Sequence, residues 1–169
     1  MPMSINRSTT VSDISTAPSA IVLEPGGGAI HEIMGPTVTF KTVGSQSDDQ
    51  FVVMEVTEQP GSGSPTQWHK ATTVIIYVLE GTPTLQVGDE TTQLGPGGYV
   101  YVPPRTTYAI NNHSAALART LWIVFPAGFE RYIAESMALV ANEPSWPPAD
   151  VSKLIALREK YDFFDPPVR

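Results

Sequence analysis

Short apolar runs, each closed by turn-forming residues, are the feature of this sequence that most restricts its fold. Gly, Pro, Asn and Asp interrupt the chain at close intervals, for example at Gly88-Asp89 and Asn111-Asn112. Many short strands with no helix between them are typical of an antiparallel sandwich or barrel. The predicted strands are Ile30–Met34, Val38–Val43, Phe51–Thr57, Thr73–Leu79, Thr84–Val87, Tyr99–Val102, Thr107–Ile110 and Arg119–Phe125.

The two ends of the chain differ from this central part. Residues 1–20 are polar and rich in Ser and Thr, which predicts a flexible arm before a barrel at 21–126. In the last segment, 127–169, apolar residues recur at helical spacing and Asp150 stands where a helix cap is needed. We therefore expect two short helices that pack on the barrel. Their apolar positions are Phe129, Tyr132, Ile133 and Met137, then Val151, Leu154, Ile155 and Tyr161.

Composition excludes several classes of function. The chain has 10 Lys and Arg against 17 Asp and Glu, a net charge of -7, so it lacks the basic face that nucleic acids and anionic membranes attract. It has no Cys, which excludes disulfides and thiolate sites. The first residues contain no apolar signal core, so we expect a cytoplasmic protein. Only 16% of residues are charged, so more of the surface is apolar, polar but neutral, or buried in an oligomer.

Four short motifs carry a resemblance to a known family. They are Tyr77-Val78-Leu79-Glu80-Gly81, Gly88-Asp89-Glu90, Pro96-Gly97-Gly98 and Val102-Pro103-Pro104. Together they resemble the double motif of the cupin superfamily. The ending, from Phe125-Pro126 to Pro166-Pro167, is similar to that of quercetin-dioxygenase-like single-domain cupins. The resemblance implies a jelly-roll-like cupin β-barrel with a ligand cavity. It also implies a homodimer, with which the low charged fraction agrees.

The same resemblance places the metal ligands of such cupins on four positions of this chain. These positions hold Gln67, His69, Val74 and Tyr108, so only one of them is an imidazole. Zinc and other first-row metals need three or four imidazole or carboxylate donors. We therefore expect no metal and no other cofactor.

Strand alternation suggests which side chains the cavity would contain. Gln67, Val74, Ile76, Val78 and Ile110 are expected on its wall as substrate contacts, and Glu55 is a further candidate whose face alternation leaves open. A lone His is often structural, but His69 stands in the motif and Tyr108 stands opposite it. Burial would keep His69 neutral and able to take a proton, while Tyr108 could donate one.

These features favour a metal-independent enzyme that isomerises, dehydrates or cyclises an apolar molecule. The resemblance implies that this molecule is of the aromatic or polyketide type. His69 and Tyr108 are its candidate catalytic residues. One alternative is a metal-dependent dioxygenase with divergent ligands, which would use His69, Tyr108 and Gln67, with His31 or Glu55 as a further ligand. The other is a small-molecule carrier or sensor that uses the same cavity without catalysis.

Overall fold

The computed structural model describes residues 19–33, 35–145 and 148–166, so most of the predicted N-terminal arm lies outside the described residues. Within them the chain forms nine strands followed by two α-helices. The strands are β1 (Ala29–Glu32), β2 (Thr37–Thr42), β3 (Val52–Glu58), β4 (Thr73–Glu80), β5 (Thr84–Val87), β6 (Glu90–Gln93), β7 (Tyr99–Val102), β8 (Tyr108–Asn111) and β9 (Ala118–Phe125). The helices are α1 (Phe129–Asn142) and α2 (Val151–Lys160).

The strands form two antiparallel sheets. The larger has the order β1-β2-β3-β9-β4-β7, and the smaller has the order β6-β5-β8. Single bridges from the segment before β4 to β8, Gly63 to Asn111 and Gln67 to Tyr108, connect the sheets on one side. The predicted all-β, antiparallel, jelly-roll-like class is confirmed, although the sheets do not close into a continuous barrel.

Alternation along the long strands decides what faces the interior. In β3 every second residue is buried, from Val52 through Met54 and Val56 to Glu58, and β9 shows the same period. The inner faces of β3, β4 and β9 meet in one core that includes Met54, Ile76 and Trp122. A two-residue period that buries one face of a strand is what a sheet packed on one side requires.

Strand β6 has no counterpart among the predicted strands. All four of its residues are exposed, so the apolar alternation that marks a strand is missing. The turn Gly88-Asp89 was predicted, and it connects β5 to β6 with Val87 paired to Glu90. Gly88 has a φ of 61°, a conformation that glycine adopts without steric cost. A polar strand at a sheet edge also discourages pairing with other chains.

Both predicted helices are present. The Asp150 side chain accepts a hydrogen bond from the Ser152 amide at 3.0 Å, which caps α2 as the sequence predicts. Ile133 of α1 is 2% exposed and belongs to the core of the sheets. The apolar face predicted for α2 is buried only in part, because Ile155 remains 49% exposed. No helix in the described ranges is long and apolar enough to cross a bilayer.

Candidate functional site

An apolar cavity of about 430 Å³ lies between the larger sheet and the two helices. Its volume is in the range of small-molecule sites, which typically enclose about 300–1,000 Å³. Most of the wall is aliphatic or aromatic, including Val38, Met54, Val56, Ile110, Trp122, Phe129, Tyr132, Ile133, Leu154 and Phe163. Polar side chains reach the wall at a few points: Glu58, Ser64, Gln67, Ser136 and Arg158. A few polar groups in an apolar wall can orient a ligand that is held mainly by burial.

Glu58 is the acidic group of this wall. As the last residue of β3 it lies on the same face as Met54 and Val56, and it is 2% exposed. The Ser62 hydroxyl donates to its Oε2 at 2.8 Å. Burial raises the pKa of the Glu58 carboxyl and outweighs this hydrogen bond, which acts in the opposite direction. The carboxyl therefore keeps its proton to a higher pH than an ordinary glutamic acid.

Glu55, the acidic residue named from the sequence, lies on the other face of β3. Its carboxylate forms an ion pair with Arg119 at 2.9 Å and lies 3.7 Å from the Lys41 ammonium. The expectation that Glu55 reaches the cavity is therefore wrong. Glu55 and Glu58 differ by an odd number of positions, so they point to opposite sides of the strand. Glu58 shares its face with the apolar residues of β3, and that pattern was the signal that could have identified it.

Gln67, His69 and Tyr108 converge in the interior, as their positions in the resemblance imply. The Gln67 Nε2 donates to the Tyr108 hydroxyl oxygen at 3.1 Å, and that hydroxyl lies 2.8 Å from His69 Nε2. The other ring nitrogen, His69 Nδ1, lies 2.7 Å from the backbone carbonyl of Asp162. A carbonyl can only accept, so Nδ1 carries the proton and Nε2 accepts from the Tyr108 hydroxyl. The chain of donors thus runs from Gln67 to Tyr108, then His69, then Asp162.

Burial keeps this network neutral. It lowers the pKa of His69 and outweighs the opposing hydrogen bond to the Asp162 carbonyl. Burial also raises the pKa of Tyr108 far above its ordinary value, against the smaller effect of the Gln67 hydrogen bond. Neutral His69 and protonated Tyr108 are the forms that the donor chain requires. Both nitrogens of the imidazole are engaged within the protein, so neither is free for a ligand.

Asp162 anchors the C-terminal segment over this network. Its carboxylate accepts backbone hydrogen bonds from Lys70, Ala71 and Thr72 at 2.8–2.9 Å, and another from the Thr72 hydroxyl. Burial by itself would raise the pKa of the carboxyl, but the four hydrogen bonds together lower it. The next residue, Phe163, packs its ring edge-on against His69 with centroids 4.7 Å apart. The tail therefore covers His69.

The structure separates the expected wall residues into two groups. Gln67 and Ile110 line the cavity, as alternation predicts. The expectation that Val74, Ile76 and Val78 line it is corrected, because none of the three is among the residues of the cavity wall. His69 and Tyr108 also lie off the wall. Sequence alternation identified the inward face but could not show which part of that face the core would fill.

The residues at the four positions where the resemblance places metal ligands do not fit a metal ion. Both His69 nitrogens are occupied by hydrogen bonds, and the phenol of Tyr108 is held in its protonated form. Val74 has no donor atom. Within the described ranges no group of three or more His, Cys, Asp or Glu residues is placed to hold a metal. His31, considered as a substitute ligand, packs against Phe40 with ring centroids 5.6 Å apart and does not line the cavity.

The fold and the comparisons with known proteins define the class of this protein. The family model for the cupin domain matches residues 54–124, from the inner face of β3 to the end of β9. The two-sheet antiparallel architecture agrees with that match. This segment of the chain matches the cupin domain, and the resemblance of its motifs to those of the cupin superfamily is confirmed.

Among individual proteins, the chain is 27% identical over 115 residues to quercetin 2,3-dioxygenase of Bacillus subtilis (strain 168). The match covers 66% of this chain but only 33% of the relative, so the chain spans about a third of that protein's length. The polyketide cyclase RemF of Streptomyces resistomycificus superposes with a TM-score of 0.57 at 20% identity, covering 63% of this chain and 80% of RemF. A predicted oxalate decarboxylase of Thermotoga maritima gives 0.59 at 13% identity, covering 63% of this chain and 99% of that protein. The two structural matches show a shared fold.

Proposed function

We propose that this chain is a metal-independent enzyme that rearranges an apolar, aromatic or polyketide-type small molecule by proton transfer. The reaction would be an isomerisation, a dehydration or a cyclisation, each of which needs a base and an acid but no redox partner. The observation that carries the proposal is Glu58, a buried carboxyl with a raised pKa on the wall of a largely apolar cavity. Perturbed titratable groups inside clefts are typical of catalytic sites.

Glu58 would act in both directions of proton transfer. Its carboxylate removes a proton from a carbon next to a substrate carbonyl, and the electron pair of that C–H bond forms the enolate. The neutral carboxyl then returns the proton, to the same carbon or to another atom of the substrate. A carboxyl whose pKa is raised towards the working pH serves both roles better than an ordinary one. The Ser62 hydroxyl, 2.8 Å from Oε2, fixes the orientation of the group.

His69 and Tyr108 take a different role in this proposal from the catalytic one expected from the sequence. Their polar atoms are used within the network, and only its first member, Gln67, faces the cavity. We assign them the positioning of Gln67, whose amide is held by the Tyr108 hydroxyl. A direct catalytic role for the pair stays a prediction, which the Tyr108→Phe variant tests.

The two alternatives fit the site less well. A dioxygenase reaction of the kind named for the Bacillus relative would need metal donors that Gln67, His69, Val74 and Tyr108 do not supply. A carrier or sensor would use the same apolar cavity, but it has no need of a buried carboxyl among the wall residues. The polyketide cyclase RemF shares this fold, which agrees with a cyclisation as one of the proposed reactions.

The proposal is tested by hydrogen exchange into an enolisable aromatic ketone. With 2-tetralone in D2O, the wild-type protein is expected to incorporate deuterium beside the carbonyl faster than buffer at the same pH, followed by proton NMR. The reaction needs no knowledge of the natural product. Saturable binding of 2-tetralone with exchange at the buffer rate would contradict an enzyme and favour a carrier. Absence of binding would contradict the cavity as a substrate site.

A further inference from the structure

Two buried donor atoms on the cavity wall have no acceptor. Within the described part of the chain, neither Arg158 Nη2 nor Ser136 Oγ forms a hydrogen bond, although both atoms are shielded from solvent. Both residues line the cavity, Ser136 from α1 and Arg158 from α2. Buried polar groups in native proteins are almost always paired. Two unpaired donors on the wall of one cavity indicate that a bound ligand supplies the missing hydrogen-bond acceptor.

The Arg158 guanidinium is held in place from the outer side. Its Nη1 forms an ion pair with Asp165 at 2.7 Å, and the Asp165 side chain is 65% exposed whereas that of Arg158 is 16% exposed. A guanidinium has five N–H donors in a rigid planar fork, so one ion pair leaves most of them available. Asp165 therefore orients the group, while the edge that carries Nη2 remains buried without a partner.

The charge of the cavity wall favours an anion. Glu58 is the one carboxyl among the described wall residues, and burial raises its pKa, which makes its negative charge less favourable than that of an exposed carboxylate. Arg158 is the one cation on the same wall. The interior is therefore receptive to negative charge, in contrast to the net charge of -7 of the whole chain. A hydrogen bond from a guanidinium to an oxyanion is stronger than one between neutral groups.

We propose that Arg158 and Ser136 form an anion subsite that binds the carboxylate of an apolar aromatic acid in the cavity. The inference rests on the proposed function, because it takes the same cavity as the substrate site and names the class of substrate. The ring system occupies the apolar wall, the Arg158 Nη2 and the Ser136 hydroxyl donate to the carboxylate, and Glu58 remains available for proton transfer elsewhere on the molecule.

The test compares two ligands that differ in charge and little in shape, 2-naphthoate and 2-naphthamide, by calorimetry at pH 7.5. The wild-type protein is expected to bind 2-naphthoate about 10- to 100-fold more tightly, as charge-assisted hydrogen bonds allow. In Arg158→Gln this preference is expected to fall to within about 3-fold, while affinity for 2-naphthamide stays close to that of the wild type. Ser136→Ala removes a single hydroxyl and is expected to reduce the preference about 3- to 10-fold.

Arg131→Gln is the matched control. Arg131 is also a helical arginine with a 2.7 Å ion pair, to Asp49, but it does not line this cavity. The control variant is expected to keep the full preference for 2-naphthoate. Arg158→Lys keeps the positive charge but lacks the planar guanidinium, and it is expected to show an intermediate preference for 2-naphthoate. This second variant keeps the test valid if Arg158→Gln fails to fold.

The outcomes separate this inference from the proposed function. Equal binding of the two ligands by the wild type, or an unchanged preference in Arg158→Gln, would overturn the subsite even if 2-tetralone exchange depends on Glu58. A preference that Arg158 controls, in a protein that shows no exchange, would support the subsite and identify a carrier of aromatic acids.

Discussion

Glu58→Gln is expected to slow deuterium exchange into 2-tetralone by about 100- to 10,000-fold, the usual contribution of a general acid–base group. Glutamine keeps the size of the side chain and can still accept the Ser62 hydrogen bond, which is 2.8 Å long in the native protein. It cannot take up or release a proton near neutral pH. Binding of 2-tetralone is expected to change little, because the apolar wall remains intact. Exchange rates from NMR and affinity from calorimetry separate these two effects.

Two control variants show whether the slower exchange results from removal of the Glu58 carboxyl. Glu55→Gln removes a carboxylate from the same strand but on the outer face, where it pairs with Arg119, and exchange is expected to stay within about 2-fold of the wild type. Tyr108→Phe breaks the bonds to Gln67 and His69, yet exchange is expected to remain above that of Glu58→Gln. If Tyr108→Phe abolished exchange while Glu58→Gln preserved it, catalysis would belong to the Tyr108–His69 pair.

Glu58→Gln is also expected to change the free energy of unfolding. The pKa of Glu58 is higher in the folded protein than in the unfolded chain, so the folded state binds the proton more tightly. Its contribution to the free energy of unfolding therefore decreases as pH rises from the unfolded value through the folded value. A glutamine side chain does not titrate, so its contribution to the free energy of unfolding does not decrease as pH rises. Glu58→Gln is expected to be more stable than the wild type above the folded pKa, as found for other groups whose burial serves activity.

The second large effect is expected for Asp162→Asn, which should lower the free energy of unfolding by about 2–3 kcal/mol at pH 7. The carboxylate accepts from three successive backbone amides and from the Thr72 hydroxyl, and an amide side chain would turn a donor towards some of them. Asparagine tolerates the left-handed backbone of this residue, whose φ is 67°. The lower free energy of unfolding of this variant would therefore result from lost hydrogen bonds and not from backbone strain. Urea unfolding measures it.

Asp49→Asn is the matched control for that variant. Asp49 also has a positive φ, of 55°, and forms an ion pair with Arg131, but its side chain is 68% exposed. Its replacement is expected to cost less than about 1 kcal/mol, the usual range for exposed pairs. Equal losses in the two variants would show that the contacts of Asp162 contribute no more than those of a surface ion pair.

Acid should weaken the same region. The pKa of Asp162 is lowered by folding, so its contribution is present above the unfolded value of about 3.9 and is lost as pH falls through the folded value. The pKa of His69 is also lowered, so the unfolded chain binds a proton first as pH falls below about 6.5. Both effects reduce stability in acid. Asp162→Asn lacks this carboxylate, so its free energy of unfolding is expected to fall less between pH 7 and the lowest pH than that of the wild type.

Much of the fold follows from local sequence. Turn residues such as Gly88-Asp89 and the cap at Asp150 act through their immediate neighbours, so their structural role could be predicted. Strand β6 was missed because a fully exposed edge strand has no apolar period. The motif positions also placed Gln67, His69 and Tyr108 together correctly.

The site was harder to predict because it depends on packing between distant segments. Asp162 and Phe163 come from the end of the chain and cover His69, about 90 positions earlier, which no local pattern reveals. Arg158 and Ser136 became candidates only once the helices were seen to complete the cavity. For Glu58 the alternation was sufficient, provided that it was read from its apolar neighbours Met54 and Val56.

The pKa of Glu58 itself tests the account most directly. Carbon-13 NMR of protein labelled at the glutamate side-chain carboxyl carbon, with Glu58→Gln to assign the signal, follows the titration without any ligand. The Glu58 carboxyl is expected to titrate clearly above the ordinary glutamate value of about 4.3. Titration at or below that value would mean a carboxylate that is ionised throughout the working pH range, and would contradict Glu58 as the acid–base group of the cavity.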